Sequence, residues 1–256
     1  MIKPKVCVLR TAGTNCDKET AFAFSKTGAI AELAHINYLV SARFALDDYQ
    51  ILALPGGFTY GDDIAAGKIL ANELRFKLSS QIEKFIHDGK LIIGICNGFQ
   101  ILVKAGLLPG NKELKQEASL IINDSGKFED RWVYLKPEGK CVWTKGLTGI
   151  IYLPVAHGEG KFVTRDKLAL EKLKKNKQIV FRYCNSKGDL AGYPDNPNGS
   201  TDNIAGICDE TGRILGLMPH PERHIVVSQH PHWSKGKEGG GLQVFKNGVE
   251  YAQKNL

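Results

Sequence analysis

A single thiol, Cys96, stands in the pentapeptide "GICNG", between the apolar run "LIIGI" (91–95) and the helix-like "GFQILVKAGLL" (98–108). Gly-x-Cys-x-Gly at a strand-to-helix junction is the thiol form of the nucleophile elbow, a sharp turn that holds a reactive side chain clear of the backbone. Gly94 and Gly98 let neighbouring chain pass close beneath such a turn. At a helix N-terminus the free amides and the dipole favour the thiolate, lowering a pKa that starts at about 8.5. The Asn97 amide would point where an oxyanion forms. The same pentapeptide also suits an inert buried cysteine at a strand end, so its partners must decide.

A thiolate nucleophile needs a proton-transfer partner, usually a histidine held by a third group. His220 follows an apolar run in "LMPHPERH", and Glu222 comes two residues later. Pro221 keeps the chain between them extended or turned, so Glu222 can reach back to orient the imidazole. Pro219 and Pro221 count against a helix, and so against His220 and His224 as an i, i+4 metal pair. A metal set of His220, His224, His230 and His232 is the weaker reading. His157, in "PVAHGEGKF", sits in a glycine-flanked loop suited to lining a pocket, whereas His35 and His87 read as surface or helix residues. The third piece is "LPGGFTYGDD" (54–63), where the Gly56-Gly57 turn closes a strand. Such a turn brings backbone amides to the carboxyl edge of a sheet, where α/β sites form. The amide of Gly57 or Phe58 is then a second oxyanion donor, although Pro-Gly-Gly also makes a plain tight turn.

The elements that must position these groups alternate in the first half. "KVCVLR" (5–10), "YQILALPGG" (49–57) and "LIIGI" read as strands. "DKETAFAFSKTG" (17–28), with Asp17 as N-cap, and "NELRFKLSSQIEKFIHDGK" (72–90) read as helices. Continuous apolar strands separated by helices mean a parallel sheet covered on both faces. The second half holds shorter strands at 119–124, 131–137, 149–162 and 179–184, and a hairpin around Asp209-Glu210-Thr211-Gly212. The loop 192–203 reads as irregular and the stretch 234–241 as flexible. No repeat or linker divides residues 1–256, so a single domain is expected.

Composition narrows the function. At 256 residues, 43% hydrophobic and 24% charged, the chain has the make-up of a soluble globular protein with a sizeable core. No apolar run reaches the roughly 18 residues of a membrane span, and the N-terminus lacks a signal peptide, so a cytoplasmic protein is expected. The six cysteines show no CxxC spacing, which argues against a disulfide framework and a zinc site. The net charge of +7 raises nucleic acid as a partner, but the lysines are scattered. The densest group, "RDKLALEKLKKNK" (165–177), interleaves no aromatics and reads as a solvated helix face.

In their order, the Gly-Gly turn, the G-x-C-x-G-x-Q motif and the distant His-Pro-Glu resemble the class I (triad) glutamine amidotransferases. More narrowly, "GGFTYGDDIAAGK", "GICNGFQIL", "PVAHGEGKF" and "GLMPHPERH" are similar to the glutaminase subunits of phosphoribosylformylglycinamidine synthase, as are "RTAGTNCDKET" and "NDSGKFEDRW". The likeness runs from about residue 5 to about 250. It implies an α/β, flavodoxin-like three-layer sandwich with a mostly parallel central sheet and additional antiparallel strands in the second half. By residue, it implies Cys96 as nucleophile, His220 as base and then acid, and Glu222 as its orienting partner. It also implies Gly57 and Asn97 amides as oxyanion donors, and Gly56, Phe58, Gln100, His157 and Gly158 as substrate-binding residues. Glutamine would be hydrolysed to glutamate and ammonia through a cysteinyl thioester. The ammonia would pass to a large synthetase subunit that converts formylglycinamide ribonucleotide to formylglycinamidine ribonucleotide in purine biosynthesis, with a small third subunit in the assembly. ATP and Mg2+ would belong to the synthetase, and this chain would carry no metal or cofactor; it has no GxxxxGK[ST] loop. The alternatives are another cysteine-dependent α/β hydrolase, of peptidase or deglycase type, and a catalytically idle partner-binding subunit. The family often has Pro-Gly-Ser where this chain has Thr11-Ala12-Gly13-Thr14, and that loop is given no role.

Overall fold

The computed structural model describes residues 3–110, 115–235 and 239–256. Its elements are β1 (Lys5–Arg10), α1 (Asp17–Lys26), β2 (Ile30–His35), α2 (Ile36–Val40), β3 (Ile51–Leu54), α3 (Lys68–Lys77), α4 (Ser79–His87), β4 (Leu91–Ile95) and α5 (Asn97–Lys104). They continue with β5 (Ala118–Ile121), β6 (Glu129–Pro137), β7 (Ile151–His157), β8 (Lys161–Thr164), α6 (Lys167–Lys175), β9 (Ile179–Cys184), β10 (Ile204–Cys208), β11 (Ile214–Leu217) and α7 (Leu242–Asn255). Among the described residues, no helix is long and apolar enough to cross a membrane.

One nine-stranded sheet runs in the order β2-β1-β3-β4-β11-β10-β9-β6-β7. The first five strands in that order are parallel, and the remaining four continue antiparallel. Residue pattern accounts for the division. Every residue of β3, β4 and β11 is buried, as strands covered on both faces require. β6, "EDRWVYLKP", instead mixes buried and exposed positions, as a strand with one solvated face does. The chain steps from β1 to β2 in one direction along the sheet and from β3 to β4 in the other. Right-handed crossovers therefore set α1 on one face and α3 and α4 on the opposite one. α1 packs with α7, where Phe24 stands edge-on to Phe245 at 4.9 Å. β5 and β8 form a separate two-stranded antiparallel ribbon.

Several expectations change. The long helix over 72–90 is two helices broken at Leu78 (φ −122°, ψ 11°), whose side chain is buried in the core. The run 149–162 is two strands in different sheets, parted at the glycines after His157. The N-cap of α1 is Cys16, and the Asp17 carboxylate pairs with Arg10 at 3.1 Å instead. β2 gives no sequence signal because, as an edge strand, it keeps most of its residues only partly covered. The flexible stretch expected at 234–241 lies outside the described residues over 236–238; beyond it, Gly239 is buried against the backbone of His224. All six cysteines are free and buried. Burial pushes the Cys7 thiol up to about 12 and raises Cys141 and Cys184, which keeps these thiols protonated and inert.

α5 lies very close to the sheet. Gly94 of β4 pairs in register with Gly216 of β11, and Phe99 fills the space above Gly216, 2.1 Å from where a Cβ would stand. A methyl group at Gly98 would sit 1.9 Å from the Leu54 carbonyl oxygen. Backbone at that distance cannot step aside as a side-chain tip can. Gly98→Ala is accordingly expected to destabilise the fold by about 1–3 kcal/mol, the usual cost of overpacking. The check is a lower urea midpoint at unchanged m-value; a wild-type midpoint would show that α5 can move outward freely.

Candidate active site

The parallel strands β1, β3, β4 and β11 end at one edge of the sheet, and the loop after each supplies part of a single cluster. Strand order reverses between β1 and β3, so the loops 11–16 and 55–62 open a crevice at that switch point. Cys96, between β4 and α5, has φ 53° and ψ −107°, a conformation that L-residues occupy only under constraint. The constraint is visible: its amide donates to the Leu217 carbonyl at 2.8 Å, extending the β4–β11 ladder by one step. The Cys96 thiol lies 3.7 Å from the Ala156 carbonyl. The residue is only 5% exposed, less open than a nucleophile standing free on an elbow, because the end of β7 and Gly56 pack against it.

His220 arrives on the loop after β11, and its own amide is tied to the Pro154 carbonyl at 2.8 Å. Its Nδ1 meets Glu222 Oε1 at 2.6 Å, with both residues buried. A carboxylate only accepts, so Nδ1 carries the proton and Nε2 is left as the acceptor. That Nε2 has no hydrogen-bond partner among the described residues. Burial disfavours a charged His220, but the Glu222 carboxylate, helped by Cys96 and Cys16, outweighs it and holds the imidazole well above its ordinary pKa. The imidazole is thus poised to take a thiol proton.

Two amides are free to hold an oxyanion. The Phe58 amide is not one of them, since it donates to the Gly13 carbonyl at 2.9 Å. No hydrogen bond among the described residues takes the amide of Gly57 (φ 144°) or of Asn97. The Asn97 side chain joins the two turns: its Oδ1 accepts from Thr59 Oγ1 at 2.7 Å, and its Nδ2 donates to Asp62 at 3.2 Å and to Gln100 Oε1 at 2.9 Å. Gln100 Nε2 donates in turn to the Glu159 carbonyl at 2.6 Å. Sequence reasoning does not bring Thr59, Asp62 and Asn97 together, because a side chain's partners across two loops leave no spacing signal.

Gln100 and His157 have their side-chain polar atoms engaged within the protein. His157 Nδ1 meets Asn123 Oδ1 at 3.2 Å, and Nε2 meets Asn198 Nδ2 at 3.4 Å. Asn123 also accepts from the Gly160 amide at 2.9 Å, so these residues shape the "HGEG" loop. Gly158 holds that loop to Asn123 through its carbonyl at 3.0 Å. Phe58 and Phe128, with rings 6.3 Å apart, are both about half exposed.

One group among the described residues has metal-like geometry, Cys16, His220 and Glu222, whose ligand atoms lie within 4.8 Å of one another. The His220 proton already sits against Glu222, and Arg223 Nη2 donates to Cys16 Sγ at 3.0 Å, so a cation would have to displace both. His224 and His230 pack around Trp132 at 5.0 and 4.9 Å, away from His220 in an aromatic cluster. A strained cysteine, a carboxylate-backed imidazole and two free amides make a site suited to acyl transfer.

Residues 3–252 match the family of CobB/CobQ-like glutamine amidotransferase domains. The chain is 49% identical over 259 residues to the phosphoribosylformylglycinamidine synthase subunit PurQ of Dehalococcoides mccartyi, covering 99% of each chain. It is 46% identical to the PurQ subunit of Archaeoglobus fulgidus, covering 98% of this chain and 97% of that one. A chain of the PurLQS structure from Thermotoga maritima superposes with a TM-score of 0.75 at 34% identity, covering 98% of this chain and 99% of that one. A second protein from Thermotoga maritima, a glutamine amidotransferase, shares the fold with a TM-score of 0.56 at 15% identity, covering 98% of each chain. On these matches the chain belongs to the CobB/CobQ-like glutamine amidotransferase family and, within it, to the PurQ subunits of phosphoribosylformylglycinamidine synthase.

Proposed function

We propose that this chain, acting as a single amidotransferase domain, hydrolyses L-glutamine through a thioester on Cys96. The ammonia goes to a partner synthetase that uses ATP and Mg2+ to convert formylglycinamide ribonucleotide to formylglycinamidine ribonucleotide. The observation that carries this reading is the buried His220–Glu222 pair at 2.6 Å beside a cysteine strained at a helix N-terminus. His220 Nε2 takes the Cys96 proton, and the thiolate attacks the side-chain amide carbon of glutamine. The carbonyl oxygen gains the electron pair, and the Gly57 and Asn97 amides hold it. His220 then gives its proton to the departing nitrogen, the C–N bond breaks and ammonia leaves. A water deprotonated by His220 attacks the thioester, releasing glutamate and restoring the thiol. Gly56, Phe58 and Gly158 flank the substrate, whereas Gln100 and His157 act through the loops that they hold.

The PurLQS assembly of the Thermotoga maritima relative supports partnership with a large synthetase and a small third subunit. The half-exposed pair of Phe58 and Phe128 supports a partner seated over that rim. No metal or cofactor is required of this chain, and a purine-biosynthetic role of this kind belongs in the cytoplasm.

The test is glutamate release by wild type and Cys96→Ala, each alone and with the synthetase, ATP and formylglycinamide ribonucleotide. Turnover should rise with the complete mixture and fall to background in Cys96→Ala. Wild-type turnover by the variant, or none by wild type in any mixture, would overturn the reading.

His157 generates a second expectation. Burial, and then the charge of nearby His220, lower its pKa from 6.5 to about 4. The unfolded chain binds this proton below 6.5, and the fold binds it only near 4. The stability contributed by a neutral His157 is therefore complete above 6.5 and is lost as pH falls through that window. His157→Gln should flatten the decline in urea midpoint between about pH 7 and about pH 4.5. Parallel declines in variant and wild type would mean that the ring takes up its proton in place without cost.

A further inference from the structure

We propose that Cys16 and Arg223 are positioning residues for the glutaminase reaction, and that the 13–16 segment aligns the proton-transfer pair with the oxyanion donor. The inference rests on the glutaminase reading above and assigns work to a loop and a second thiol that the reaction as written leaves unused.

Cys16 caps α1, but its side chain makes no capping bond, at a position where Ser, Thr, Asp or Asn would normally supply one. Its fully buried thiol faces the base instead, with Sγ 4.0 Å from His220 Nδ1. Arg223 donates from Nη2 to that sulfur at 3.0 Å. Arg223 follows Glu222 in the chain and its charge acts on that carboxylate, although the two form no ion pair within 4.0 Å among the described residues. Glu222 Oε2 is buried without a hydrogen-bond partner among the described residues. A buried carboxylate with one oxygen unmatched is costly unless a cation stands near. Cys16 anchors that cation. Cys16 thereby helps to place the charge that acts on the Glu222 carboxylate.

The same segment also fixes the oxyanion turn. The amides of Asn15 and Cys16 both donate to the Gly56 carbonyl, at 3.3 and 3.1 Å, and the Gly13 carbonyl receives the Phe58 amide. These three bonds set the planes of the peptides on either side of Gly57, and so the direction of its free N–H. There is no slack between the two halves: a Cβ on Gly56 would lie 2.8 Å from His220 Cε1, 3.2 Å from Cys16 Sγ and 3.4 Å from Cys96 Cβ. Displacing Cys16 misaligns base and donor together. Substrate affinity is less exposed to such a shift than the chemical step is.

The experiment compares Cys16→Ala, Cys16→Ser, Arg223→Ala and Arg223→Lys with wild type and Cys96→Ala, using the full chain alone and with the synthetase. Three quantities are read: glutaminase kcat, glutamine KM, and the rate of Cys96 alkylation by iodoacetamide, followed at that residue by mass spectrometry. Both alanine variants should lower kcat and the alkylation rate together by about ten- to a hundredfold, the scale of a small misplacement, with KM within about twofold. Arg223→Lys should recover part of the loss because it keeps the cation. If an alanine variant does not fold, as judged by its urea transition, the Ser or Lys variant at that position gives the same comparison. Rates within about twofold of wild type in the folded variants, with turnover lost only in Cys96→Ala, would overturn this proposal and leave the glutaminase reading standing. Turnover that survives Cys96→Ala would overturn both.

Discussion

The site depends first on the register of β4 against β11, in which Gly94 faces Gly216 and Ile95 faces Leu217. That pairing joins two stretches from opposite halves of the chain and ends them side by side. The next bond along, from the Cys96 amide to Leu217, turns the end of the ladder into the start of the site. A register shift of one residue would set a side chain where α5 leaves room only for glycine, since a Cβ at Gly94 would lie 2.5 Å from the Gly98 carbonyl and one at Gly216 would lie 2.1 Å from Phe99. The two facing glycines let α5 settle onto the sheet, so its N-terminus and free amides arrive at the thiol. Packing thus determines where the Cys96 thiol stands before any polar contact is made.

Polar contacts then determine charge. His157 and His220 are both buried, and in the unfolded chain both would titrate near 6.5. In the fold they part: His157 is lowered to about 4 and His220 is raised well above its ordinary value. Burial pushes both downward, and only His220 has a carboxylate on its ring. His157 has two asparagine side chains instead, which satisfy a neutral ring but cannot compensate a charged one. Two histidines of similar exposure therefore differ in role through one neighbour, Glu222. A charged imidazole is favoured at His220 and disfavoured at His157.

Much of this is legible in the sequence because it is local. "GICNG" specifies a turn through its glycines, and "HPE" brings acid and imidazole within reach through a proline. The apolar runs of β3, β4 and β11 announce buried parallel strands. What stays hidden is non-local. β2 carries mixed polarity at a sheet edge, and the break at Leu78 comes from tertiary burial overriding a helical pattern. Cys16 reads as another structural thiol, since nothing in "GTNCD" shows that its sulfur meets a guanidinium from the far end of the chain. By sequence the Phe58 amide is as available as that of Gly57, and only the Gly13 carbonyl distinguishes them.

The division between sheet and loops has a physical basis. Strands can place groups within reach, but the pleat alternates side chains between faces and cannot aim several of them at one point. Convergence needs backbone conformations outside the strand and helix regions, and the loops contain them: Gly13, Gly57, Tyr60, Gly61, Asp62 and Cys96 all have positive φ. Such turns hold little apolar surface of their own, so they are secured by hydrogen bonds across to other loops. The 13–16 segment secures 56–58, and Asn97 secures 59–62. Each loop is therefore rigid only while its neighbour is in place. The carboxyl ends of β1, β3, β4 and β11 behave as one unit for this reason, and the site is a property of four loops together rather than of the cysteine alone.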